Sequence, residues 1–325
     1  MDVEIRPGPK GLEGGQPWPG TEEEMKKAGL ANPGMMKVMK LMPKRLLAKK
    51  IRGMMGSENR NIAKGKLAEN TFGIAGPNGA VPVRSYRPEG GATGLPVFVY
   101  FHGGGWIGGS VGVVENICRG VADRGDCVAL NVDYRLAPEH PFPQGLEDCR
   151  AVAEWSLAHA TELGGDPSKV ILAGDSAGGN LATVLALMAR DAGRSAYKGQ
   201  VLIYAAVDMN MDPGGEKGGA NPLGDLIPNW YLKGDLALMR DPRVSPTCAN
   251  DHRGLPAALV ITAEYCFIRG QGEDYARKLA AAGVPVKALR YNGLGHAFLD
   301  KVGLWPESDV CIEDIGAWIK ETCGT

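Results

Sequence analysis

Three residues of this 325-residue chain have the types and contexts of a nucleophile, a base and a third catalytic partner. Ser176 is the centre of Gly-Asp-Ser-Ala-Gly, which matches the G-x-S-x-G turn that lifts a serine hydroxyl clear of a sheet. His296 follows in a Gly-His-Ala-Phe loop, and the order Ser, acid, His is that of a known catalytic triad. The acid position, thirty residues before His296, holds Cys266. The pattern predicts acyl transfer at a serine, with an unusual third member.

A glycine-rich loop supplies the second half of the predicted site. It reads His-Gly-Gly-Gly at residues 102–105, where glycines allow backbone amides to face a substrate carbonyl. We expect the amides of Gly103 and Gly104, with that of Ala177, to form an oxyanion hole. Gly105 is the alternative for one of them, since the register cannot be read from the sequence. A phosphate-binding loop is the other interpretation, but no Lys-Ser/Thr ending follows.

The elements that must position these residues alternate between strand and helix. Short apolar, β-branched runs predict strands, and longer segments between them predict helices. The strands are expected at residues 97–101, 128–132, 170–173, 201–204, 259–262 and 286–289, and helices at 146–159, 177–192 and 271–283. Short buried strands separated by helices predict an α/β fold with a mostly parallel central sheet flanked by helices.

Two regions interrupt this rhythm. Residues 1–70 are interpreted as an N-terminal extension with cap helices, and residues 71–325 as the catalytic domain. A Gly-, Pro- and Asp-rich stretch at about 208–250, with one helix near 226–239, is interpreted as a second cap element.

Methionines recur at helical spacing in the first cap region, where nine Lys or Arg and no Asp or Glu occur between residues 25 and 52. We expect Met35 and Met39, together with Trp106, to contact an apolar substrate. The alternatives are an amphipathic helical pair packed on the core, or a basic helix lying on a membrane surface.

Composition narrows the partners. The formal net charge of −1 argues against nucleic-acid binding. The seven cysteines lack CxxC spacing, which indicates reduced thiols and a cytoplasmic location. No apolar run approaches 18 residues, so no stable membrane insertion is expected. No His, Asp or Glu cluster has metal-ligand spacing, so neither a metal nor another cofactor is expected.

Several motifs together resemble the hormone-sensitive-lipase-like (family IV) carboxylesterases of the α/β-hydrolase fold. They are His-Gly-Gly-Gly-Trp at 102–106, Asp-Tyr-Arg-Leu-Ala-Pro-Glu-His at 133–140, Gly-Asp-Ser-Ala-Gly-Gly-Asn at 174–180, Asp-Pro-Arg-Val-Ser-Pro at 241–246 and Gly-His-Ala-Phe at 295–298. The resemblance implies Ser176 as nucleophile, His296 as base, a helical cap, a hydrophobic small-molecule substrate and a homodimer formed through edge strands. The departure is local: Cys-Phe-Ile-Arg-Gly at 266–270 stands where the family usually has Asp-Pro-Leu-Arg-Asp.

A cysteine in the acid position leaves three functions open, because a neutral thiol is a weak hydrogen-bond acceptor. The first is ester or lactone hydrolysis through Ser176, His296 and Cys266. The second is a non-hydrolytic reaction in the same pocket, such as dehydration, isomerisation or cyclisation, and the third is ligand binding without catalysis. A nearby carboxylate is a further alternative for the acid, with Glu264 and Asp300 as the candidates. Asp274 reads instead as an N-terminal helix residue.

Overall fold

The computed structural model describes residues 1–9, 17, 42–56, 58–194, 196–209 and 226–325. Its described strands form one nine-stranded sheet in the order β1-β9-β8-β7-β6-β4-β5-β3-β2. The strands are β1 (Glu4–Arg6), β2 (Leu67–Gly76), β3 (Gly79–Pro88), β4 (Leu95–Phe101), β5 (Val128–Val132), β6 (Gly165–Asp175), β7 (Gly199–Ile203), β8 (Ala257–Tyr265) and β9 (Val286–Gly295). Strands β4 to β9 pair in parallel, while β3 pairs antiparallel with β2 and β5.

Helices cover both faces of this sheet. They are α1 (Lys44–Met54), α2 (Val111–Gly125), α3 (Gln144–His159), α4 (Ala177–Asp191), α5 (Leu226–Tyr231), α6 (Arg269–Ala281) and α7 (Pro306–Cys323). Because neighbouring strand residues point to opposite faces, Val97 and Val99 belong to one core cluster and Phe98 and Tyr100 to the other. Strand β4 is buried along its whole length. The predicted α/β class with a mostly parallel sheet is confirmed, and all six predicted strands are present.

The β2–β3 hairpin was not predicted. Nearly every residue of β2 is exposed or half-buried, so the sequence carries no apolar run there. Strand β2 begins at Leu67, before the boundary expected between residues 70 and 71, and that boundary stays a prediction. The hairpin forms one edge of the sheet.

The two cap regions are described only in part. Met35, Met39 and residues 210–225 lie outside the described residues. The helix expected near 226–239 ends at residue 231 and is followed by a 3₁₀ turn, Leu236–Arg240. Lys233 adopts a φ of 56° between them, a left-handed conformation that an α-helix cannot contain.

The N-terminal strand covers the other sheet edge. Strand β1 pairs in parallel with β9. Arg6 donates to both carboxylate oxygens of Asp314 on α7, at 2.7 and 2.8 Å, and Tyr291 donates to the same carboxylate. A forked guanidinium–carboxylate pair of this kind fixes orientation as well as position. The edge of β9 is therefore already paired within the chain.

Candidate active site

Ser176 occupies the sharp turn between β6 and α4. Its φ of 51° and ψ of −114° are strained for a residue with a side chain. The turn needs small neighbours: a Cβ added to Gly178 would lie 1.8 Å from the carbonyl oxygen of Phe101. The amide of Ser176 donates to the carbonyl oxygen of Ile203 on β7 at 2.8 Å. The predicted G-x-S-x-G turn thus forms, and it presents the serine hydroxyl at the carboxyl edge of the sheet.

His296 follows the end of β9 and reaches this hydroxyl. Its Nε2 lies 3.1 Å from the Ser176 Oγ. The imidazole packs against the rings of Tyr204 and Phe267, with ring centroids 5.0 and 4.6 Å away. Burial lowers the pKa of His296 to about 4, because desolvation disfavours the imidazolium form. The ring is therefore neutral near pH 7 and can accept a proton.

Cys266 directly follows β8, at the position where the sequence predicts the triad acid. Its Sγ lies 3.1 Å from the Nδ1 of His296, and the residue is only 1% exposed. For Nε2 to accept the Ser176 proton, Nδ1 must carry the hydrogen that points to this sulfur. The structure therefore brings Ser176, His296 and Cys266 into one chain of contacts, in the order that the sequence predicts.

The nearby carboxylates have other positions. Glu264 accepts a hydrogen bond from the amide of Gly293 at 2.8 Å. Asp274 is ion-paired with Arg277 at the surface. Asp300 lies in the turn after His296, and burial together with the negative charge of Asp175 raises its pKa well above the ordinary value. Cys266 is the residue found against Nδ1.

Asp175, the residue before the nucleophile, fastens the glycine-rich loop. Its carboxylate accepts hydrogen bonds from the Tyr100 hydroxyl at 2.9 Å and from the amide of Gly103 at 2.8 Å. Burial raises the pKa of Asp175 to about 6. A Cβ on Gly103 would lie 2.1 Å from this carboxylate, so only glycine fits there. No pattern in the sequence predicted this role.

This contact changes the expected oxyanion hole. The amide of Gly103 already donates to Asp175, and so it is not free to face a substrate. Gly104 and Gly105 follow with φ values of +114° and +63°, which turn the backbone away from the strand direction. Their amides, with that of Ala177 at the first turn of α4, are the donors that remain. The sequence-level alternative of Gly105 is therefore the better fit.

Helix α1 contacts the same loop. Arg52 donates to the carbonyl oxygens of Ile107 and Ala137, both at 2.8 Å, and pairs with Glu139. Met55, just past the helix, lies so close to Gly108 that a Cβ there would be 2.0 Å from its sulfur. Met55 is thus the methionine that the described structure places at this loop, and the spacing argument did not single it out.

Trp106 is almost fully buried. It is 4% exposed, and its ring stacks on Tyr231 of α5, with centroids 4.8 Å apart and an 11° interplanar angle. Phe142 meets the same tyrosine edge-on at 5.7 Å. The stack joins the glycine-rich loop to α5. A direct role of Trp106 in substrate binding stays a prediction.

Within the described ranges, no group of three or more His, Cys, Asp or Glu side chains is arranged to hold a metal ion. In the same part of the chain, no helix has the length and apolarity that a membrane crossing requires.

The serine turn, the histidine after the last strand and the mostly parallel sheet define an α/β hydrolase. The family model for the alpha/beta hydrolase fold matches residues 98–300, and the chain belongs to this family. It is 40% identical over 241 residues to the carboxylic ester hydrolase LipN of Mycobacterium tuberculosis. That match covers 70% of this chain but 63% of LipN, less than two thirds of its length.

Solved structures agree with this assignment. An esterase from Pyrobaculum calidifontis is 37% identical, with a TM-score of 0.75, and the match covers 86% of this chain and 90% of that one. An ester hydrolase from the metagenome of Lake Arreo is 30% identical, with a TM-score of 0.84 and coverage of 95% and 100%. The chain is an esterase-like α/β hydrolase.

Proposed function

We propose that the protein hydrolyses carboxylic esters or lactones of hydrophobic small molecules through Ser176, His296 and Cys266. The observation that carries this proposal is the continuous contact from the Ser176 Oγ through the imidazole to the Cys266 Sγ, 3.1 Å at each step. The esterases among its relatives support hydrolysis over a non-hydrolytic reaction or simple binding.

In the proposed mechanism, the Ser176 oxygen attacks the ester carbonyl as His296 Nε2 takes its proton. The amides of Gly104, Gly105 and Ala177 donate to the oxyanion that forms. The imidazolium then gives the proton to the leaving alkoxide, which departs as an alcohol. Water, deprotonated by the same nitrogen, attacks the acyl-serine and releases the acid.

Cys266 has a limited part in this scheme. Its sulfur accepts the hydrogen of Nδ1 and so holds the ring in the productive tautomer. As a neutral group it stabilises the imidazolium much less than a carboxylate would. We therefore propose a slow hydrolase whose third member orients the base and contributes little charge.

We extend the proposal to the substrate contacts, the cellular location and the assembly of the protein. We place Met35, Met39 and Trp106 at the substrate's apolar part, with residues 1–70 and about 208–250 as the cap. None of the seven cysteines forms a disulfide, which supports a cytoplasmic location. Because β1 covers the β9 edge, a homodimer formed by edge pairing would use β1 or β2.

Turnover of p-nitrophenyl acetate by the wild type and by Ser176→Ala tests the proposal. We expect slow but measurable hydrolysis by the wild type and none above background in Ser176→Ala. Cys248→Ala is the matched control, because this half-buried cysteine lies in the 3₁₀ turn Pro246–Cys248 and is not a member of the proposed triad. Equal hydrolysis by wild type and Ser176→Ala, with Cys248→Ala unchanged, would contradict the proposal.

A further inference from the structure

The chemistry of Cys266 extends beyond orienting a base. Its sulfur lies 3.1 Å from the Nδ1 of His296. In the imidazole tautomer that carries its hydrogen on Nε2, the exchange partner of the catalytic form, Nδ1 is the acceptor of the thiol proton. Oxidants act on the thiolate form of cysteine, which a neighbouring base promotes.

We propose that Cys266 is a site of oxidation by hydrogen peroxide, and that its sulfinate form gives His296 the anionic partner that the thiol does not supply. The proposal rests on the proposed hydrolytic function, because its consequence is measured as ester turnover. It makes the unusual residue of the triad a modification site.

The oxidation needs two molecules of hydrogen peroxide. In the first step the Cys266 thiol passes its proton to His296, and the thiolate sulfur attacks one peroxide oxygen. The O–O bond breaks, the sulfur keeps that oxygen as a sulfenic acid, and the departing hydroxide takes the proton to become water. In the second step the sulfenic sulfur attacks another peroxide, giving a sulfinate, a second water and a released proton. Each peroxide accepts two electrons from sulfur.

The product resembles the missing aspartate in the features that matter for His296. A sulfinate is an anion with two terminal oxygens that only accept hydrogen bonds, as a carboxylate does. Its charge at Nδ1 favours the imidazolium and so raises the pKa of His296 from about 4. In the thiol form the sulfur itself lies at hydrogen-bond distance from Nδ1. For a sulfinate oxygen to take this position, the Cys266 side chain or the His296 ring must shift.

We expect peroxide to reach this sulfur from the active site. Cys266 is 1% exposed, but its neighbour Phe267 and the triad members His296 and Ser176 are each half-buried. A molecule as small as peroxide can enter where an ester must enter. Access from the substrate side also predicts that a bound substrate analogue protects Cys266.

The test treats the full chain with a titrated amount of hydrogen peroxide, removes the oxidant, and measures two quantities. Peptide mass spectrometry follows the addition of two oxygen atoms to Cys266, and p-nitrophenyl acetate turnover follows kcat. We expect kcat to rise by about tenfold or more with the fraction of sulfinate, below the roughly 10⁴-fold effect of a full triad acid. Cys266→Ser should show no rise in kcat, although it keeps every methionine that peroxide also oxidises. Cys248→Ala should respond as the wild type does.

The outcomes separate the inference from the function on which it rests. A Cys266 that stays reduced while Cys248 oxidises overturns the inference, and so does a sulfinate that leaves kcat unchanged or lowers it. If Cys266→Asp is active while the oxidised wild type is not, hydrolysis stands and the inference falls. If Cys266→Asp is also inactive and Ser176 does not react with a fluorophosphonate, the proposed function itself falls.

Discussion

Replacing Cys266 with aspartate should turn a slow hydrolase into a faster one. The pKa of His296 lies at about 4 instead of the ordinary 6.5. At 1.36 kcal/mol per pKa unit, this disfavours the imidazolium by about 3 kcal/mol. Because the imidazolium forms fully as Ser176 attacks, that penalty corresponds to about 10²-fold in rate. A carboxylate against Nδ1 offsets most of it.

We therefore expect Cys266→Asp to raise kcat for p-nitrophenyl acetate by about 10²-fold, with a ceiling near the 10⁴-fold effect of a full triad acid. Cys248→Asp is the matched control, since it adds the same charge outside the triad. Thermal unfolding of each variant shows whether the fold is intact. A folded Cys266→Asp whose kcat equals or falls below that of the wild type would refute the reasoning.

Three further results follow from the geometry. With the pKa of His296 at about 4, wild-type kcat/KM should stay constant as the pH falls towards 4 and should decrease below pH 4, because the base must be neutral. In Cys266→Asp the pKa of His296 is raised, so the same decrease should begin at a higher pH. Glu264→Leu removes the acceptor of the Gly293 amide and should lower kcat about tenfold or more, because the segment 293–296 that carries the catalytic histidine is held less firmly. Glu264→Gln keeps an acceptor oxygen and should keep most of the activity. Gly178→Ala should yield no folded protein, since the added Cβ would lie 1.8 Å from a carbonyl oxygen of β4. Gly53→Ala in α1 places its Cβ in open space and should raise the free energy of unfolding, measured with denaturant, by about 0.5 to 1 kcal/mol.

The strands of the parallel sheet were predictable because burial on both faces demands continuous apolar runs, as in β4. The β2–β3 hairpin was missed for the opposite reason, since β2 is largely exposed. The contact between Cys266 and His296 was expected from the order Ser, acid, His and from the resemblance to the family's acid motif. Strands β8 and β9 are parallel neighbours, so the residues that follow them meet at one edge of the sheet.

The missed details depend on contacts that are distant in sequence. Glu264 was a candidate acid because residues two apart on a strand share a face. The β8–β9 pairing shifts register between Ala263 and Tyr265, and Glu264 contacts the Gly293 amide there. Likewise, the amide of Gly103 is taken by the Asp175 side chain, a partner 72 residues away that no local pattern reveals.

The central claim is that Ser176 is an activated nucleophile although a cysteine replaces the triad acid. Intact-mass and peptide mass spectrometry after incubation with a fluorophosphonate tests it most directly, because the reagent needs both a reactive serine and an oxyanion site. We predict a single adduct on Ser176, which forms much more slowly in His296→Ala and is absent from Ser176→Ala. An unmodified wild type, or an adduct that forms equally fast in His296→Ala, would contradict it.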